Sequence, residues 1–186
     1  MRNNILFLLV FISFPSYAER ADRNKPINIE ADQVLVDDAK QTSTFTGKVV
    51  LIQGTMVIHG DKVVVVEDKQ GYKQGTAYGH TASFRQKREG LDEYVEGYGE
   101  RIVYDTRLDT VDFYVQARVK RAQDEVRGEH ITYNSKTEIF QADDKGAASN
   151  TGAPKRVHAV LHAKPKSGEE ADVPKTVNPI PAAGAQ

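Results

Sequence analysis

Histidine is the side chain best suited to move a proton near neutral pH or to hold a metal, and this chain has five. His59, His80 and His130 fall at the edges of glycine-punctuated units. His158 and His162 are spaced i, i+4, which would share one face of a helix. They lie in a proline-flanked segment with strand alternation, so that spacing does not bring them together. Nucleophilic catalysis needs a nucleophile, a base and an orienting group. Beyond residue 18 the serines are Ser43, Ser83, Ser135, Ser149 and Ser167, and none sits in a Gly-x-Ser-x-Gly elbow. The acidic pairs Asp37-Asp38, Asp92-Glu93 and Asp143-Asp144 fall in turn regions. On a strand, neighbours in sequence point to opposite faces and cannot form an acid–base pair. Neither a catalytic site nor a metal site is expected, and no cofactor is implied.

The elements that carry these residues repeat. A small residue, usually followed by an acid, opens a run with apolar side chains at every second position. The copies are Ala31-Asp32-Gln33-Val34-Leu35-Val36, Gly60-Asp61-Lys62-Val63-Val64-Val65, Gly79-His80-Thr81-Ala82-Ser83-Phe84, Gly99-Glu100-Arg101-Ile102-Val103-Tyr104 and Gly128-Glu129-His130-Ile131-Thr132-Tyr133. Self-similarity at this scale marks a stack of supersecondary units, none able to bury its own apolar face. A period of two within each copy specifies strands.

Proline sets the boundaries. The seven prolines stand at 15, 26, 154, 165, 174, 179 and 181, leaving 127 residues without one. Proline cannot donate to a sheet ladder, so Ile27 to Ala153 reads as continuous β-structure punctuated by glycine. About fifteen short strands are expected: 27–30, 33–37, 42–46, 48–53, 55–59, 62–66, 73–78, 81–86, 92–98, 101–105, 110–117, 118–122, 125–127, 130–134 and 138–141. Tight turns are expected at Gln53-Gly54 and Gln123-Asp124, and matching turns at 105–107 and 134–136. Residues 157–161 add one last strand. The fold class is all-β.

Residues 1–18 read as a cleavable secretory leader: a basic start at Arg2, an apolar run from Ile5 to Phe14, and small residues before a cut after Ala18. The run is too short to span a bilayer. With no cysteine, a lipidated anchor and disulfides are both excluded. These features fit a bacterial periplasm. Removing the leader leaves 24 basic against 26 acidic residues, a formal charge of −2. No basic patch stands out and there is no tryptophan, so nucleic acid is not an expected partner. Residues 19–26 form a lead-in, 27–163 the domain, and 164–186 a Pro- and Ala-rich tail with the composition of a disordered segment.

The alternation places Val34/Val36, Val63/Val65, Ala82/Phe84, Ile102/Tyr104 and Ile131/Tyr133 in pairs on one face. Phe45, Val49, Leu51, Val57, Phe113, Val115, Val119 and Phe140 are candidates to join it. Two uses of such a face stand open. It fills an ordinary sandwich core, or it lines a conduit for something apolar. A repeat-built structural or polysaccharide-binding protein is a further alternative, although sugar sites usually display exposed aromatics, often tryptophan.

Several phrases in order resemble the OstA-like family of periplasmic lipopolysaccharide transport proteins: Lys25-Pro26-Ile27-Asn28-Ile29-Glu30-Ala31-Asp32-Gln33, Thr44-Phe45-Thr46-Gly47-Lys48-Val49, Gln53-Gly54-Thr55, the second and fifth repeat copies, and Val95-Glu96-Gly97. The resemblance covers about residues 25–164. It implies an open, slightly twisted, V-shaped β-jellyroll of 15–16 short antiparallel strands. It also implies an apolar groove sheltering the lipid A acyl chains of lipopolysaccharide. The family's groove positions fall on Ile27, Phe84 and Tyr104; a further contact position falls on Thr106, where the family can carry leucine. Joined with the alternation, the expected lining is Ile27, Val34, Val36, Phe45, Val63, Val65, Phe84, Ile102, Tyr104, Phe113, Ile131 and Tyr133. The resemblance further implies head-to-tail self-assembly, and partners in an inner-membrane anchored component and an outer-membrane translocon component. Edge strands at Ile27, Asn28, Ile29 and Glu30 and at Val157, Ala159 and Leu161 are the expected interface. No phosphate-cradling loop is present, so a partner must supply the driving force.

Overall fold

The sixteen expected segments, counting 157–161, fuse into ten strands, because most meet end to end across a bend. The computed structural model describes residue 22 and residues 25–143 and 156–162. The expected leader, the tail from 164 and the second member of the pair Asp143-Asp144 lie outside the described residues. The strands are β1 (Asn28–Glu30), β2 (Gln33–Asp37), β3 (Thr42–Gln53), β4 (Met56–Glu67), β5 (Lys73–Lys87), β6 (Tyr94–Asp105), β7 (Thr110–Arg121), β8 (Asp124–Asn134), β9 (Ile139–Asp143) and β10 (His158–Val160). No helix occurs among the described residues.

All ten strands belong to one antiparallel sheet in the order β1-β3-β4-β5-β6-β7-β8-β10, with β2 on β3 and β9 on β8. The sheet does not close. Its register breaks at one place on every long strand pair: Thr46/Val49, His59/Lys62, Tyr78/Ala82, Tyr98/Arg101 and Tyr114/Ala117. The breaks align into a crease that divides the sheet into two wings. One wing holds β1, β10 and the halves of β3–β8 that pair with them. The other holds β2, β9 and the remaining halves. Bulges bend a strand sharply, and a row of them folds the sheet in two.

The small residue that opens each repeat phrase sits at this crease. A Cβ on Gly60 would stand 2.8 Å from the Tyr78 carbonyl oxygen, and one on Gly99 would stand 2.8 Å from that of Tyr114. Backbone meets backbone there, which no side chain larger than hydrogen permits. On β3, Gly47 and Lys48 take φ of 86° and 44°; on β7 the bend falls on Val115 and Gln116, with φ of 63° and 53°. A β-branched residue in the left-handed region is strained by about 1–3 kcal/mol, so β7 makes the same bend at a higher cost.

The apolar faces of the wings meet inside the V. Val49, Leu51, Met56, Ile58, Phe84, Val95 and Val119 of the first wing are buried, as are Val63, Ile102, Val111, Phe113, Ile131 and Tyr133 of the second. Phe113 crosses the interior. Its ring packs edge-on to Phe84, 5.8 Å between centroids, and lies where a Cβ on Gly97 would come within 2.1 Å. The turns at the outer edge of the second wing share one device. Asp37, Asp68, Asp105 and Asn134 each accept backbone N–H bonds from residues two to four places ahead. These are Asx-type turns, of which the sequence had marked two. The two-residue hairpins comprise Gly54-Thr55 and Ala122-Gln123, each one residue away from its expected place.

Gly97→Ala should therefore destabilise the domain by about 1–3 kcal/mol through overpacking against Phe113. Gly75→Ala, with nothing near its Cβ position, should be neutral or stabilising by up to about 1 kcal/mol. Urea unfolding midpoints check both; equal shifts would contradict the cross-wing packing.

Candidate functional site

Side chains on the inner faces form continuous rows, because cross-strand partners share a face. On the second wing one row runs Val34, Phe45, Val63, Ala77, Ile102, Phe113, Ile131, Ala142. The next row out runs Val36, Ser43, Val65, Gly75, Tyr104, Val111, Tyr133, Phe140. Facing them, the first wing carries Ile29, Leu51, Ile58, Phe84, Gly97, Val119, Val126 and Ala159. Every residue expected to line a groove except Ile27 falls in one of these rows, and Ile27 packs half-buried against the same core.

Their accessibility is graded along the sheet. Val63, Phe84, Ile102, Phe113, Ile131 and Tyr133 are buried and fill the middle of the V. Ile27, Phe45, Val65 and Tyr104 are half-buried against that core. Val34 and Val36 are 60% and 58% exposed at the β2 edge, and Leu35 on the opposite face of that strand is 69% exposed. The two uses left open by the sequence thus coexist. The same row is packed core at its centre and open apolar surface at one end. Gly75, between Val65 and Tyr104, has nothing within 4 Å of its Cβ position, so the inner face of the second wing keeps free space there. Val57 departs from expectation. Met56 and Ile58 take the inner positions of β4, which turns Val57 outward beside Arg85.

Opposite the crease, a cleft of about 520 Å³ opens between the wing rims. Gln86, Lys87, Arg88 and residues 89–92 border it from the first wing; Tyr104, Asp109, Tyr133, Lys136 and Glu138 border it from the second. Burial, with the Glu138 charge nearby, pushes the Tyr133 hydroxyl up to about 12, so it stays neutral. Its ring stacks on Phe140 at 4.6 Å. Across the rims, Arg88 donates from Nη2 to Glu138 Oε2 at 2.5 Å and from Nε to Oε1 at 3.2 Å; within its own loop it donates from Nη1 to Glu93 Oε2 at 2.5 Å. The guanidinium holds the Glu138 carboxyl below the usual carboxylate range. Sequence reading missed this cluster. Arg88 and Glu138 are 50 residues apart, and neither stands in a repeat phrase.

The histidines do not converge. His130 lies on the outer face, stacked on Tyr114 at 4.4 Å, with Nε2 2.9 Å from Asp112 and Nδ1 3.3 Å from Asp143. It ties β7, β8 and β9 together. His80 is exposed near Asp61, and His162 approaches Asp124. Among the described residues no group of His, Cys, Asp and Glu is arranged to hold a metal. Thr106 has a structural explanation: its hydroxyl accepts from Lys73 N at 2.8 Å and donates to Lys73 O at 2.9 Å. A leucine there would leave both groups of the β5 start without this partner. Among the described residues β1 pairs only with β3 and β10 only with β8 at the sheet ends, and Val157 and Leu161 are exposed beside β10.

Residues 28–139 match the family described as LptA/(LptD N-terminal domain) LPS transport protein. The chain is 35% identical over 146 residues to the lipopolysaccharide export system protein LptA of Escherichia coli, covering 77% of this chain and 78% of that one. It is 32% identical over 154 residues to LptA of Haemophilus influenzae, covering 80% and 89%. Its fold superposes on the crystal structure of LptH from Pseudomonas aeruginosa with a TM-score of 0.71 at 28% identity, covering 77% of this chain and 99% of that one. LptH is the LptA-homologous periplasmic component of the conserved lipopolysaccharide transport device of that organism.

Because Arg88 holds the Glu138 carboxyl below its ordinary value, the stability this pair contributes is complete above the ordinary glutamate range and is lost as pH falls below that range, through the depressed value. Glu138→Gln should cost about 1 kcal/mol at neutral pH and progressively less as pH falls below the ordinary glutamate range. Urea titrations across that pH range check this. A cost independent of pH would contradict the ion pair.

Proposed function

We propose, from the premise that this chain belongs to the LptA/LptD N-terminal domain family of lipopolysaccharide transport proteins, that it carries lipopolysaccharide with the acyl chains held between its two inner faces. The protein is a lipopolysaccharide transport component. The observation that carries the groove assignment is the pair of apolar rows running across the whole second wing, from Val34 to Ala142 and from Val36 to Phe140, in which the polar groups are the hydroxyls of Ser43, Tyr104 and Tyr133. Each methylene kept from water is worth about 0.8 kcal/mol. A row of near-equivalent sites lets an acyl chain advance from one strand to the next without meeting water.

Work in the periplasm follows from the leader expected over 1–18. There the protein would bridge an inner-membrane anchored component and an outer-membrane translocon component. The two ends of the sheet suit that role. One end offers β1 and β2, the other β9 and β10, and each wing has an unpartnered edge at both ends among the described strands. An exposed edge templates pairing with another chain. Head-to-tail addition would join the exposed Val34, Val36 and Leu161 of successive copies into a longer apolar trough.

Two experiments test this reading. A photoreactive phenylalanine at Phe45, Val65 or Tyr104 should capture lipopolysaccharide in living cells, and the same residue at the outward-facing Tyr78 should not. Capture from Tyr78 alone would refute the groove assignment. In sedimentation, mass should rise with concentration in steps of one protomer, and Leu161→Asp should weaken association about tenfold. A dimer that saturates, or a strict monomer, would refute end-to-end assembly.

A further inference from the structure

The crease joins the wings along one side, so the opposite side is where they can part. That side is tied. The Arg88 side chain comes from the loop between β5 and β6 on the first wing, and it is 15% exposed. Its fork meets both carboxylate oxygens of Glu138, which ends the turn before β9 on the second wing. Glu138 sits at φ 55°, a bend that fixes where its carboxylate projects. Beside this pair, Arg121 of the first wing stands 5.2 Å over the ring of Phe140 on the second. Two cations on one rim thus hold an anion and an aromatic face on the other.

Behind this tie the cleft reaches Tyr104 and Tyr133, and beyond it the centre of the V is packed. Phe113 lies on Gly97 and against Phe84, leaving no room for an acyl chain at the centre. Spreading the wings means separating Arg88 from Glu138. We propose that the Arg88–Glu138 pair is a latch across the mouth of the groove, closed in the empty protein and released when acyl chains pass between the wings. The proposal rests on the lipid-carrying reading above. An ion pair suits the task. Glu138 is 32% exposed, so water resolvates it once parted, and one partly exposed pair contributes little against the burial of several acyl chains. Arg88 does not lose all partners on opening, since Glu93 lies in its own loop at 2.5 Å. The guanidinium therefore shifts from two carboxylates to one instead of being stranded, which lowers the barrier to release.

The chain contains no cysteine, which makes the test direct. The double variant Arg88→Cys/Glu138→Cys is reacted with a short bismaleimide, which fixes the rims together, or with a monofunctional maleimide, which leaves them apart. Both products are checked for a β-rich circular dichroism spectrum. Capture of lipopolysaccharide bearing a photoreactive acyl chain is then compared. The bridged form should lose at least tenfold relative to the unbridged form, and Arg88→Gln/Glu138→Gln, which folds without chemistry at the rim, should load severalfold faster than the native chain. Equal capture by bridged and unbridged forms, with native capture intact, would overturn the latch and leave the groove standing. Absence of capture by every form, the native chain included, would overturn the groove itself and the latch with it.

Discussion

The structure depends on one steric constraint: at the crease, neighbouring backbones approach closer than a Cβ allows. Gly60 and Gly99 each meet a carbonyl oxygen of the adjacent strand there, and Gly47 and the Val115-Gln116 pair supply the left-handed backbone of the same bend. Six long strands turn at this line. Without it the sheet would be a flat, one-sided surface with its apolar face in water. With it, a single sheet becomes two wings whose inner rows oppose each other. The two edges and the open side then follow from geometry, since a sheet creased along one line has one closed side and one open side.

That arrangement removes the conflict between a core and a conduit. Phe84, Phe113, Ile102 and Ile131 are as buried as any side chains in a closed sandwich, and they give the domain its stability. The sheet never closes, so the packing opposite the crease is maintained by rim contacts and not by backbone pairing. The rows continue into half-buried Phe45 and exposed Val34, so the apolar face does not end where the core ends. Membership in a lipopolysaccharide transport family fits a fold of this kind, in which one apolar surface serves both as core and as path.

Much of this was legible in the sequence. Period-two alternation within each repeat assigned the inner residues of the second wing correctly, because side-chain parity is fixed by the pleat. It erred at Val57, where the apolar run Met56-Val57-Ile58 offers two parities and only packing chooses. On five of the six long strands the expected boundaries fall at the breaks but were wrongly read as ends; on β7 the expected break after Ala117 lies instead at Val115-Gln116. A glycine at a bulge and a glycine at a turn look alike in sequence, and only the partner strand reveals that the chain continues. The grading of exposure from Ile131 to Val34 was invisible, since both residues carry the same alternation signal. So was the Arg88–Glu138 contact. It joins two surface loops by a charge pair of the kind any soluble chain offers in quantity, and no spacing rule selects one pair among many.

The central claim is that lipid occupies the space between the wings. Double electron–electron resonance between spin labels at Glu89→Cys and Lys136→Cys, exposed residues on opposite rims of the cleft, measures that space in solution. The interlabel distance should lengthen and broaden when lipopolysaccharide binds and return when it is removed. Bound lipid with an unchanged distance distribution would contradict that claim.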